Sequence, residues 1–266
     1  MNIFESIVLG VVQGITEFLP ISSTGHLILA REFLGIGDVN GLAFDVVLHF
    51  ATALAIAIYF RADIMSLVKQ LFSSPVNYIK EHRTIFLTYI LAGIPVVIVG
   101  LFAETYIESF FRSSTSVALT LIFGGILFII AELISRRNQN KSTSVSLKQG
   151  VIIGLVQVLA LIPGMSRSGS TISAGLLSGT TRTAVARFSF LLALPLLFGV
   201  GIKKMLDLSG GEQAFAYTPL IVASITAFFV GYISLSWLMK ILSKNSLIPF
   251  ALYRFALAVY ILAFFQ

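Results

Sequence analysis

Gly10-Val11-Val12-Gln13-Gly14-Ile15-Thr16-Glu17-Phe18-Leu19-Pro20-Ile21-Ser22-Ser23-Thr24-Gly25-His26 has an echo later in the chain, in Gly154-Leu155-Val156-Gln157 followed by Pro163-Gly164-Met165-Ser166-Arg167-Ser168-Gly169-Ser170-Thr171. In both copies an apolar run carrying a glutamine meets a proline and then a loop of small polar residues. Proline and glycine end helices, and serines and glycines hold irregular backbone. Two apolar segments, Ile3–Leu19 and Val151–Ile162, are therefore read as broken helices. Irregular backbone survives at membrane depth only where it is buried in protein or lines a wet cavity.

Composition supplies the solvent. The chain has 266 residues, of which 57% are hydrophobic and only 11% charged, where a soluble domain carries about 25% charge. A mean hydropathy of +0.95 leaves too little polar surface to face water, so the natural medium is a bilayer. Six further stretches approach the roughly 20 residues that cross about 30 Å of hydrocarbon: Leu42–Phe60, Ile85–Ala103, Val117–Ile134, Ala186–Ile202, Pro219–Leu238 and Leu247–Phe265. Phe44 and Phe188 open corresponding spans. The expected fold is an all-α integral membrane protein of one domain over 1–266. Each half, about 1–134 and about 150–266, is a re-entrant broken helix plus three transmembrane helices. Three is odd, so the second broken segment enters from the opposite face, which makes an inverted-topology repeat.

Charge gives the orientation. The net charge is +6, and the positive residues gather in the Arg61–Thr84 and Ser135–Gln149 loops, with Arg182, Lys240 and Lys244 on the same side of the alternating path. Glu104, Glu108 and Arg112, then Lys203 and Lys204 balanced by Asp207 and Glu212, fall on the other side. Basic loops stay cytoplasmic. Both termini and the first broken segment then face outward. The first Lys or Arg is Arg31, so the N-terminus lacks the basic start of a secretory signal. No basic tract suits nucleic acid. Cysteine is absent, which removes disulfides, thiolate metal sites and a cysteine nucleophile.

The two breaks carry the chemistry. Gln13 and Glu17 are four apart, hence on one helix face. Glu17 is an ionisable group in an apolar segment, which is expensive and by default functional. Their oxygens suit Mg²⁺ or Ca²⁺, with substrate phosphate completing the shell. Ser22, Ser23 and His26 offer hydroxyls beside a base, and a tight turn could join Ser23 to His26. Arg167 presents a planar fork that matches phosphate oxygens, with Ser166, Ser168, Ser170 and Thr171 as hydroxyl donors. His49 reads as a packing residue between helices and His82 as a solvated one. A carboxylate, a Ser/His pair and an arginine cradle in one place suit phosphoryl transfer on a lipid with a phosphate head.

Both motifs together resemble those of the bacterial undecaprenyl pyrophosphate phosphatases of the bacitracin-resistance type. The likeness covers nearly the whole chain, including Ile248-Pro249-Phe250-Ala251-Leu252-Tyr253-Arg254-Phe255. It implies an integral enzyme of the bacterial inner membrane that converts undecaprenyl diphosphate to the monophosphate carrier and inorganic phosphate, with a divalent cation. The resemblance further implies that the enzyme supports peptidoglycan synthesis and lowers sensitivity to bacitracin. It implies Ser23 as nucleophile, His26 as its base or acid, Arg167 on the phosphate, and Glu17 with Gln13 on the metal. The family's first motif position is glutamate or glutamine, and Gln13 is the neutral form. A homodimer is compatible with this reading. Two rival classes share parts of this pattern. The acid-phosphatase-like superfamily fails because its later histidine is replaced by Ser173. A lipid or small-anion transporter shares inverted repeats and broken helices.

Overall fold

Asn2 caps the first helix by accepting from the Glu5 backbone while Glu5 reaches back to the Asn2 N–H, and Ser146 with Gln149 repeats the device at the start of the second half. The computed structural model describes residues 1–36, 41–73, 75–111, 113–209 and 217–264. In chain order the helices are α1 (Ile3–Thr16), α2 (Ser23–Leu34), α3 (Gly41–Tyr59), α4 (Arg61–Ser73), α5 (Pro75–Glu81), α6 (Arg83–Phe111) and α7 (Ser114–Arg137). The second half has α8 (Leu147–Gln157), a 3₁₀ turn (Val158–Leu161), α9 (Arg167–Leu177), α10 (Arg182–Ser209), α11 (Tyr217–Lys244) and α12 (Ile248–Phe264). No strand forms among the described residues.

Four of these helices are long and apolar enough to cross a membrane, in α6, α7, α10 and α11. A fifth, Phe44–Tyr59, runs into α4 through a 76° bend. The sixth expected span, α12, has 17 residues, at the lower edge of spanning length. Phe102, Phe229, Ile233 and Val259 lie exposed on these helices, as faces that meet lipid tails do. One expectation is corrected. Arg61–Thr84 is not a loop but holds α4 and α5. Ile64, Leu67, Val68, Leu71 and Phe72 recur at helical spacing, the pattern of an amphipathic helix, although Val68 and Phe72 stand exposed.

Small residues allow the broken helices to bury themselves. In α1, a Cβ at Gly10 would stand 2.6 Å from the Ala223 carbonyl, and one at Gly14 2.8 Å from the Gly231 nitrogen, so α1 lies directly on α11. In α8, a Cβ at Gly154 would stand 2.6 Å from Ala92 Cα, so α8 lies on α6 in the same way. Helix association in lipid depends on such close backbone approach, because tails are as apolar as the side chains. Neither α1 (14 residues) nor α8 (11 residues) is long enough to span, which leaves both breaks inside the bundle.

The breaks themselves match. Ser22 and Ser166 are the non-glycine residues with positive φ, +77° and +69°, among the described residues. Each sits just before a helix, and each hydroxyl accepts from an N–H three residues on, Gly25 or Gly169. Such backbone costs on the order of 1–3 kcal/mol and persists where the surroundings over-determine it. The surroundings here include Arg254 of α12, which is fully buried. Its Nε donates to the Leu121 carbonyl at 3.0 Å and its Nη1 to those of Met165 at 3.2 Å and Pro20 at 3.4 Å. Its Nη2 donates to those of Gly164 at 2.8 Å and Thr120 at 3.1 Å. One guanidinium thus satisfies the stray carbonyls of both breaks and ties them to α7.

Candidate active site

Glu17 caps the C-terminal end of α1, and its carboxylate is where the two breaks meet. Oε1 accepts from Arg167 Nη2 at 2.7 Å, across 150 residues of sequence. Oε2 accepts from Ser23 Oγ at 2.7 Å and from Gln13 Nε2 at 3.2 Å, and His49 Nδ1 stands 3.0 Å from it. Gln13 Nε2 lies 2.8 Å from the same His49 nitrogen. Four elements therefore converge on one carboxylate: α1 with Gln13, α2 with Ser23, α3 with His49 and α9 with Arg167. Glu17 is buried, so these contacts act in a medium where charge and hydrogen bonds count for more than in water.

A cavity of about 530 Å³ opens onto this cluster. Glu17, Ser22, Ser23, His49, Ser166 and Arg167 form its polar end, and Val97, Leu101, Leu161, Leu196 and Val200 line the rest. Polar groups at one end of an apolar furrow suit an amphiphile with an anionic head. Buried polar atoms are left unpaired here: Arg167 Nη1, Gln13 Oε1 and both side-chain atoms of Gln157. A buried polar group without a partner costs roughly 1–3 kcal/mol, and a ligand can remove that cost. Arg167 Nη1 and Gln157 Nε2 are donors, as a phosphate requires. Gln13 Oε1, buried without a partner, and the Glu17 carboxylate supply oxygens of the kind a hard divalent cation takes.

A family model described as bacitracin resistance protein BacA matches residues 6–260. The chain belongs to the BacA family. Among its relatives, the undecaprenyl-diphosphatase of Thermobifida fusca is 43% identical over 266 residues, covering 99% of this chain and 90% of the relative. Those of Geotalea daltonii (42%) and Alteromonas mediterranea (40%) cover 99% of this chain and 98% and 99% of their own lengths. This BacA-family chain is a multi-pass helical membrane protein.

Not every expected site residue of this BacA-family chain faces the cavity. Ser23 and His26 do not pair. Ser23 is held by Glu17, whereas His26 directs Nδ1 at the Ser22 carbonyl, 2.7 Å away, and Nε2 at the Tyr253 hydroxyl, 2.8 Å away, with its ring stacked on that tyrosine. Glu17 lies at the end of the preceding helix and takes the serine, while α12 supplies the partner that turns the histidine away. Of the expected phosphate ligands, Ser22, Ser166 and Arg167 line the cavity. Ser168 is buried with its Oγ 3.2 Å from Ser166 Oγ, and Thr171 donates to the Arg167 carbonyl at 2.8 Å, so both support the α9 turn. His49, read as a packing residue, stands in the cluster instead. The signal available was its place on the same apolar helix as Asp45, which also lines the cavity and pairs with buried Arg31.

Proposed function

We propose that this protein hydrolyses undecaprenyl diphosphate to undecaprenyl phosphate and inorganic phosphate, which returns the carrier lipid to cell-wall synthesis and confers bacitracin resistance. The relatives named undecaprenyl-diphosphatase support the reaction. The observation that carries it is Glu17 holding Ser23 and Arg167 at the polar end of an apolar furrow. The isoprenyl chain lies along the furrow, and the diphosphate meets Arg167, whose free Nη1 takes a terminal oxygen. Glu17 accepts the proton from Ser23 Oγ as that oxygen approaches the terminal phosphorus. The bond to the bridging oxygen breaks and the lipid monophosphate leaves, and water then releases phosphate from the serine. A divalent cation at Gln13 Oε1 and Glu17 would neutralise charge on the phosphates. Purified protein in detergent should release phosphate from undecaprenyl diphosphate. Tight lipid binding without release would support a carrier instead.

This geometry makes Ser23 and Glu17, rather than Ser23 and His26, the cooperating pair. The losses caused by Ser23→Ala and Glu17→Gln should be strongly non-additive in kcat, as for residues that act as one unit. Losses from Ser23→Ala and His26→Ala should multiply. A multiplicative Ser23/Glu17 cycle would mean that water attacks and that Ser23 only holds the phosphate.

An inverted repeat belongs to the same reading. The exchange of partners between halves supports it: α1 packs on α11 while α8 packs on α6, and each break carries a serine of positive φ just before the next helix. Contacts between Arg187 and Asp63, Arg182 and Glu132, the Leu247 N–H and Glu132, and Ser142 and Thr180 gather the basic connections at one end of the bundle. Placing that end in the cytoplasm of a bacterial inner membrane directs the first break and both termini outward, toward carrier lipid left after export of its cargo. Single cysteines can be read without background. A cysteine at Asn140 should react with an impermeant thiol reagent only after lysis. A cysteine at Asn40 or Gln266, both outside the described residues, should react in intact cells. The reverse pattern would invert the assignment.

A further inference from the structure

The contacts around His49 cannot all be satisfied by hydrogen bonds. A neutral imidazole nitrogen offers either an N–H or a lone pair. If Nδ1 offers its lone pair, it accepts from Gln13 Nε2 at 2.8 Å but faces the Glu17 oxygen at 3.0 Å, lone pair to lone pair. If Nδ1 carries hydrogen, it donates to Glu17 but opposes the Gln13 amide hydrogens. Turning the amide over, which is an assignment rather than an observation, gives Nδ1–H an acceptor. It then sets the amide oxygen 3.2 Å from Glu17 Oε2 and strands a buried NH₂. In its present setting the amide leaves Gln13 Oε1 buried without a partner. Every arrangement has one like-facing contact and one orphan.

With the amide turned so that its oxygen takes the corner now held by Nε2, a cation removes the like-facing contact, because it accepts lone pairs from all three corners at once. The triangle has the right size. Its edges are 2.8 Å, 3.0 Å and 3.2 Å. Ligands about 2.1 Å from an octahedral centre stand about 3.0 Å apart, whereas Ca²⁺ distances of 2.3–2.6 Å would spread them to roughly 3.3–3.7 Å. Glu17 keeps its other oxygen for Arg167, and His49 and Glu17 both line the cavity, so the open face of the triangle is where a phosphate would complete the shell.

We infer that the Gln13 amide oxygen, Glu17 Oε2 and His49 Nδ1 form a three-cornered site for a six-coordinate divalent cation of Mg²⁺ or Mn²⁺ size, with His49 as a direct nitrogen ligand. The inference rests on the phosphatase reading for the cation's use but not for its binding. Mn²⁺ is the probe. Purified protein in detergent, without lipid, should bind about one Mn²⁺, and its electron spin-echo modulation should show coupling to an imidazole ¹⁴N. His49→Ala should lose that coupling and weaken Mn²⁺ binding about 10-fold or more. His49→Gln keeps an oxygen donor of similar reach, so it should retain Mn²⁺ while losing the nitrogen signal. His26→Ala, whose histidine is held by Tyr253, should leave the coupling intact. Ca²⁺ should displace Mn²⁺ only in large excess. Nitrogen coupling unchanged in both His49 variants, or wild-type protein that binds no Mn²⁺, overturns the site. Phosphate release by wild-type protein in either event would leave the phosphatase reading standing and remove only the proposed site: His49 as a ligand in the first case, the whole triangle in the second.

Discussion

Glu17→Gln is expected to lower kcat/KM for undecaprenyl diphosphate by about 1,000-fold or more while the protein stays folded. The glutamine keeps the shape and one oxygen. That oxygen can still accept from Arg167 Nη2, so the bond joining the two breaks survives in neutral form. What is lost is the charge. Without it, the side chain cannot take a proton from Ser23, and the strong charge-assisted bonds to Ser23 and Arg167 become ordinary ones. Removing a single preorganised donor from a site of this kind costs about 100- to 1,000-fold, and here one change removes a base and a charge partner together. Phosphate release and the melting temperature should be measured on the same preparation. Activity within about 10-fold of wild type would take Glu17 out of the reaction and leave it as a tie between α1 and α9. A collapse of the melting temperature would show that its charge holds the breaks together.

The class of fold was legible because composition and the length of the apolar runs act locally and need no partner. The two breaks were legible for the same reason: Pro20, Pro163 and the serine-glycine runs disrupt helix wherever they are placed. That Glu17 and Arg167 share a site followed from the cost of placing either in lipid alone. The direction of His26 did not follow. Three-residue spacing puts it on the Ser23 side of a helix, but the choice was made by Tyr253, 227 residues away, and by the reach of Glu17 across the break. His49 was obscured because one histidine in an apolar helix carries the same local pattern whether it packs or points into a cavity. The three break carbonyls held by Arg254, those of Pro20, Gly164 and Met165, could have been anticipated in kind though not in detail. Broken helices leave carbonyls without partners, and an arginine inside the last apolar segment has donors to spare.

Arg167→Lys is expected to lower kcat by about 100-fold or more, although the charge is kept. The wild-type fork is used asymmetrically. Nη2 is committed to Glu17 Oε1 at 2.7 Å, and Nη1 is buried with no partner among the described residues. The arginine can therefore hold the base with one prong and offer the other to the phosphoryl group, without moving when substrate arrives. A lysine ammonium is a point charge on a flexible stem. In the resting protein it would pair with Glu17, and when substrate binds it would have to leave the carboxylate or fail to reach the phosphate. Either choice removes a contact to the oxygens of the transferred phosphoryl group that matters most during transfer, so kcat should fall further than KM rises. Arg167→Ala should fall lower still, with partial recovery on adding guanidinium ion, which restores a planar fork without the tether. A lysine variant with near-normal kcat and a raised KM would mean that Arg167 attracts the anionic head to the cavity and takes no part in the transfer.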